Sequence, residues 1–108
     1  MDTDYKNKKT VLTDVKFWEK DWGELNFPIH LDPEKRVERV LMKLFDDYLN
    51  LDNAEQKTCI EIGCNPGKFL IYCGETLNYD LFGIDYDKKG VSITERNLAE
   101  SRLRGEIL

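Results

Sequence analysis

Acids and glycines at set intervals are the chemically suggestive part of this chain. Glu61 precedes a turn bracketed by Gly63 and Gly67, and Asp85 closes the next apolar run. Glycine permits positive φ and lets a ligand approach the backbone closely. Asn65, in the middle of the turn, tolerates the left-handed region better than most residues. The amides that open the following helix point at the turn, so a carboxylate or a ribose can sit there. A carboxylate beside the end of a buried strand is costly unless it meets a cation or donors, and Glu61 is such a group. Asp85 lies roughly 20 residues beyond the turn, where an acid accepts hydrogen bonds from both ribose hydroxyls. Taken singly, each acid also reads as a solvated strand end or half of a salt bridge. With the glycines they point to a nucleoside ligand held in one adenosine-sized hollow at the strand tips.

The pattern restricts which nucleoside. A dinucleotide fingerprint requires Gly-x-Gly-x-x-Gly, and counting from Gly63 the second and third places hold Asn65 and Lys68. A phosphate-gripping P-loop also fails, because no Gly-Lys-Ser/Thr follows the turn. A ligand without phosphates fits better. S-adenosylmethionine carries an amino acid, a ribose, an adenine and a positive sulfonium, and an acid-rich pocket suits its cationic groups. No general base is identifiable. His30 is the lone histidine and reads as a structural or surface residue. Cys59, Cys64 and Cys73 are an odd number without framework spacing, as expected of reduced thiols in a cytoplasmic protein. A zinc site would need all three with His30, and no Cys-x-x-Cys pair is present, so no metal is expected.

These residues need a β-turn-α-β frame. Thr58–Ile62 reads as a first strand and Gly63–Pro66 as the turn. A helix over about 67–77 carries Leu70, Cys73, Gly74 and Leu77 on one face. Gly74 costs about 1 kcal/mol there relative to Ala, which close packing on a sheet explains. Leu81–Asp85 is a second strand. Asp87 caps a helix over roughly 88–101, with Val91, Thr94 and Leu98 turned inward. Glu106-Ile107-Leu108 starts a third strand.

Upstream, Asp32-Pro33-Glu34 is a helix start. The apolar spacing of Val37, Val40, Leu41, Leu44, Phe45, Tyr48 and Leu49 predicts a helix over about 33–49 packed against the sheet. Asn50 suits its stop, and residues 50–57 form a polar connector. Residues 1–31 read as a polar tail and an aromatic segment, with Phe17, Trp18 and Trp22 serving as a clasp or, in a sharper reading, as a lid over a ligand. Residues 32–108 form the domain proper.

Here the chain resembles a family. Ile60-Glu61-Ile62-Gly63-Cys64-Asn65-Pro66-Gly67-Lys68-Phe69-Leu70 looks like motif I of the class I S-adenosylmethionine-dependent methyltransferases, and Phe82-Gly83-Ile84-Asp85-Tyr86-Asp87 looks like their second motif. The resemblance covers about residues 35–108. It implies a Rossmann-like α/β parallel sheet with flanking helices, shortened after the start of its third strand. It also implies methyl transfer by direct displacement. Gly63, Cys64 and Gly67 would line the methionine part of S-adenosyl-L-methionine, Glu61 would lie near its amino group, Asp85 would hold the ribose and Tyr86 would lie along the adenine. Asn65 departs from the usual middle glycine. The family's remaining strands, with their acceptor-side residues, are missing, so the chain is expected to be the N-terminal half of a longer protein or a truncated form, inactive alone. The acceptor is open, a small molecule being favoured over protein or RNA. The alternatives are a nucleotide-binding domain and a non-catalytic Rossmann-like interaction domain.

Composition narrows the class. The 108 residues are 34% charged and 41% hydrophobic, as in a soluble globular domain. A net charge of −5 argues against a generic grip on nucleic acid. The one basic cluster, Lys6-Asn7-Lys8-Lys9, belongs to the tail. No apolar run reaches the roughly 20 residues that span a bilayer, and no signal peptide is recognisable. A bare sheet edge invites pairing with a second copy.

Overall fold

The computed structural model describes residues 25–49 and 56–108. The aromatic residues Phe17, Trp18 and Trp22, the tail and the stop at Asn50 lie outside them. The elements are helix α1 (Arg36–Leu49), strand β1 (Thr58–Ile62), helix α2 (Lys68–Glu75), strand β2 (Asp80–Ile84), helix α3 (Lys88–Glu100) and strand β3 (Gly105–Ile107). The strands form one parallel sheet in the order β1-β2-β3. Thr58 pairs with Asp80 and Ile62 with Ile84, while Leu81 pairs with Gly105. This is a Rossmann-like α/β fold.

Strand order and connection hand together decide where the core lies. Both crossovers step the same way across the sheet. Right-handed β-α-β connections then put α2 and α3 on the same face. The odd-numbered strand residues point to that face, and Leu81 joins Leu70, Ile71, Cys73, Leu98 and Cys64 in the buried cluster. The even-numbered residues point the other way. There Ile60 is 65% and Ile62 82% exposed, with Phe82, Ile84 and Leu108 beside them. Strands of a parallel sheet are apolar on both faces because both are usually covered. Among the described residues, only one face is.

Helix α1 departs from the expectation. It begins after a turn in which the Glu34 amide donates to Asp32 Oδ1 (2.9 Å) and the Lys35 amide to the Asp32 carbonyl (3.1 Å). Asp32 thus holds the turn before the helix and does not cap α1, which starts later than residue 33 and whose first bond runs from the Arg39 amide to the Lys35 carbonyl (2.9 Å). Nor does α1 lie on the sheet. It packs beside α2, where Phe45 meets the rings of Phe69 and Tyr72, each with centroids 6.0 Å away. Tyr72 donates its hydroxyl to Asp46 Oδ1 (2.5 Å), and Tyr79 on the approach to β2 donates to the Leu49 carbonyl. Burial, reinforced by the Asp46 charge, pushes the Tyr72 phenol up to about 12. The physical reason is partners: α2 and α3 fill one face of the sheet, and the rings of Phe69 and Tyr72 on α2 give Phe45 its packing surface beside it. So Val37, Val40, Leu44 and Tyr48, four of the seven residues in the apolar stripe, face outward.

Glycines set the closest approaches inside the core. A Cβ on Gly74 would stand 2.8 Å from Leu81 Cδ1 and 3.1 Å from Leu103 Cδ1, so α2 sits on β2 where only a hydrogen fits. A Cβ on Gly83 would meet Cys64 Sγ at 2.8 Å, Ile107 Cδ1 at 2.9 Å and Leu70 Cδ1 at 3.1 Å. Those neighbours come from three directions and are themselves packed. Gly83→Ala is therefore expected to destabilise by about 1–3 kcal/mol, as overpacking does, measured by urea unfolding. An unchanged midpoint would show that the core yields there.

Candidate functional site

The site is built where β1 and β2 end side by side. The amides of Gly63 and Cys64 both donate to the Ile84 carbonyl, at 2.7 and 3.2 Å, which locks the turn onto the end of β2. Gly63 and Gly67 have φ of +71° and +93°, so both stand in the left-handed region the sequence assigns to glycine. A Cβ on Gly63 would meet nothing within 4 Å, and that side of the turn is open. Gly67 differs, since a Cβ there would lie 2.8 Å from Thr94 Cγ2 on α3. The Asn65–Pro66 bond between them is cis.

Asp85 follows β2 directly and faces the turn. Its Oδ2 accepts from the Asn65 amide (3.2 Å) and its Oδ1 from the Asp87 amide (3.0 Å). Asp87 in turn caps α3 by accepting from the Lys89 amide (3.1 Å). Carboxylate oxygens hold more than one acceptor site each, so Asp85 keeps capacity for further donors. Tyr86, next in the chain, is 65% exposed.

Glu61 is the group most out of balance. Its Oε1 is buried without a hydrogen-bond partner. Burial first, and the neighbouring Cys59 second, push its carboxyl up to about 7. Glu61 also lines a cavity of about 410 Å³ with Leu41, Phe45, Cys59, Phe69 and Cys73. That cavity opens along the free edge of β1, and its walls do not include Asp85 or Gly63. The single hollow shared by both acids, expected from the sequence, is therefore not what this cavity is. The charges of both acids instead bear on Cys64. This buried thiol is pushed up mainly by its burial, then by the charges of Asp85 and Glu61, against the pull of its contact with Thr94 Oγ1 at 3.8 Å. Both carboxylates are thus within electrostatic reach of one side chain inside the turn.

Nearby charges are structural. Lys68, the first residue of α2, reaches Glu38 Oε1 at 3.0 Å. Burial works to raise Glu38, but Lys68, the Asp32 amide and Lys35 outweigh it and hold the carboxyl below its usual range. His30 lies 3.5 Å from Glu75, the last residue of α2, at the opposite end of the helix from the turn. Cys59, Cys64 and Cys73 are all free thiols, and Cys73 donates to Cys59, which holds Cys59 below and Cys73 above the usual thiol range. No helix among the described residues is long and apolar enough to cross a membrane.

The sequence reading missed α3 as the wall behind the turn. Gly90, Thr94 and Asn97 recur at helical spacing and form one stripe on it. A Cβ on Gly90 would meet Asp85 Oδ1 at 2.9 Å and Asn65 Cβ at 3.2 Å. Thr94 and Asn97 are fully buried. Of this stripe the sequence placed only Thr94 inward; Gly90, in the first helical turn, was a signal that an apolar count passes over.

Fold comparison agrees with this architecture. No family model matches the sequence, and no curated protein does either. Among solved structures, the chain is similar to geranyl diphosphate C-methyltransferase from Streptomyces coelicolor A3(2), in complex with Mg2+, geranyl-S-thiolodiphosphate and S-adenosyl-L-homocysteine. That match has a TM-score of 0.53 and 14% identity over 86% of this chain and 42% of the other. It is also similar to the PH0226 protein from Pyrococcus horikoshii OT3, with a TM-score of 0.51 and 15% identity over 75% of this chain and 35% of that one. The chain thus spans well under half the length of either protein.

The displaced titration of Glu61 has a measurable consequence. With its carboxyl at about 7 when folded and near 4.5 when unfolded, only the native state keeps the proton between those values. The native state then binds more protons than the unfolded one, so stability falls as pH rises through that window. Glu61→Gln is expected to remove this slope and to raise the urea midpoint above neutral pH. A pH profile identical to that of the parent would contradict the assignment. The chain has a Rossmann-like fold, and its likeness to these structures is one of architecture.

Proposed function

We propose that this chain is the cofactor-binding half of an S-adenosylmethionine-dependent methyltransferase. One observation carries the reading. Two carboxylates at the ends of adjacent parallel strands act on the same turn, and one of them, Glu61, buries an oxygen that lacks a donor. A cationic amino group near Glu61 would supply that donor and return the carboxyl to its ionised form. The Gly63 side of the turn leaves room for a ligand against the backbone. Asp85 has acceptor capacity left for ribose hydroxyls, and Tyr86 offers an exposed ring beside it for an adenine. The fold likeness to a methyltransferase solved with S-adenosyl-L-homocysteine supports the same cofactor class.

Bound S-adenosylmethionine would supply an electrophilic methyl group for direct displacement by an acceptor nucleophile. The residues of this chain would bind and orient it: Gly63, Cys64, Asn65 and Gly67 through the turn, Glu61 and Asp85 through charge and hydrogen bonds. Such positioning is the main contribution a protein makes to a displacement of this kind. No side chain among the described residues stands out as a base. The acceptor, proposed to be a small molecule, would be bound by chain beyond the stretch matched here, and the protein is proposed to work in the cytoplasm.

Calorimetric titration separates this reading from its rivals. S-adenosylhomocysteine is expected to give binding heat and NAD none. Asp85→Asn, which keeps one acceptor oxygen but loses the charge, is expected to weaken binding about tenfold, the scale of one hydrogen bond to a charged group. Binding of NAD in preference would favour the nucleotide-binding alternative. Silence with both ligands would favour the non-catalytic interaction domain.

A further inference from the structure

Residues 25–31 touch the turn through one side chain. Asn97 is 0% exposed. Its Nδ2 donates to the Pro66 carbonyl and to the Ile29 carbonyl, both at 2.9 Å, and its Oδ1 accepts from the Ile29 amide at 2.7 Å. Both N–H groups and one acceptor site of a single amide are therefore in use. The amide reads both backbone polar groups of Ile29, as a neighbouring strand would. It also satisfies a carbonyl inside the turn that ends at Gly67. Removing such an amide would leave three backbone groups short of a partner.

The rest of the segment is fastened on either side of that contact. Phe27 lies under the Arg96 guanidinium, 4.2 Å from its ring centroid, and Arg96 is the α3 residue before Asn97. His30 reaches Glu75 on α2, and Leu31 is buried. The Asp32 amide then donates to Glu38 Oε1 (3.3 Å), the carboxylate that also holds Lys68 at the start of α2. The segment thus contacts both α3, through Arg96 and Asn97, and α2, through Glu75.

We propose that Asn97 is a positioning residue that couples residues 25–31 to the turn between β1 and α2, so that this segment is a working part of the candidate cofactor site. The segment holds the Asn97 amide in one orientation, and the amide fixes the Pro66 carbonyl. Pro66 lies between Asn65, whose amide Asp85 accepts, and Gly67, which rests on Thr94. Loosening the segment then loosens the turn. By linkage, a ligand that orders the turn tightens the segment by the same factor. The ligand half of this statement rests on the function proposed above, whereas the coupling itself does not.

Amide hydrogen exchange of the full chain without ligand tests the coupling. Asn97→Ser shortens the side chain away from its partners, and Phe27→Ala loosens the segment without touching the turn. Both variants are expected to speed exchange at Cys64, Asn65, Gly67 and Lys68 by about three- to tenfold, with Leu81–Ile84 unchanged; Phe27→Tyr, which retains the ring under Arg96, should restore the parent rates. Faster exchange in residues 27–31 alone, with the turn at parent rates, overturns the proposal. Should Asn97→Ser speed exchange everywhere by loss of global stability, Phe27→Ala decides the matter by the same criterion. In a second arm, saturating S-adenosylhomocysteine is expected to slow exchange at Ile29, and Phe27→Ala to weaken its binding several-fold. A parent chain that binds no S-adenosylhomocysteine defeats the proposed function, while the ligand-free exchange rates still decide the coupling.

Discussion

The contact on which the rest of the site depends is that between α3 and the turn after β1. Gly67 rests on Thr94, Gly90 on Asp85 and Asn65, and Asn97 on Pro66. The two glycine approaches are closer than side chains permit. Two glycines remove the Cβ atoms that would keep α3 away, and two small polar residues fill the gap with hydrogen bonds. Thr94 turns its hydroxyl back to the Gly90 carbonyl (2.8 Å), so its methyl is the part left against Gly67. The left-handed conformation at Gly67 would strain any other residue even where space allowed. Helix packing and backbone conformation therefore require glycine at Gly67 for separate reasons.

That contact explains how an unfavourable group is tolerated. Glu61 is held at the end of β1 by strand pairing and by the turn, which is itself anchored to Ile84 and to α3. It cannot relax toward water without breaking that anchorage. A buried carboxyl oxygen without a partner persists only where the surrounding structure over-determines it, and such places concentrate at binding sites. The contrast with Glu38 is instructive. That carboxylate is buried as well, but Lys68 and the Asp32 amide satisfy it, and its titration shifts the opposite way.

Much of this was legible in the residues themselves. The strands, the glycine turn and the capping role of Asp87 are local matters, written in apolar runs, glycines and short polar side chains, and they stand within a few residues of where the sequence puts them. The seat of α1 was not legible. Its apolar stripe specifies that something must cover it, but not which surface, and the rings of Phe69 and Tyr72 on α2 met it in place of the sheet. Asn97 was illegible for another reason. A polar residue on a helix reads as solvent-facing by default, and its partners Ile29 and Pro66 are distant in sequence and offer only backbone atoms. Backbone polar groups leave no trace in residue type, so a side chain that serves them is hard to recognise before the fold is known.

The uniform direction of the crossovers has a consequence for how the site forms. With the segment around Ile29 set aside, every group described at the turn belongs to one uninterrupted run of chain, from Glu61 to Asn97. Closing loops this short demands little chain entropy, and the cost grows only slowly with length. Contacts so near in sequence can be made before any distant part of the polypeptide arrives. The carboxylates, the turn and its supporting helix thus constitute a self-contained assembly unit, whereas the apolar face on the other side of the sheet contributes nothing to its closure.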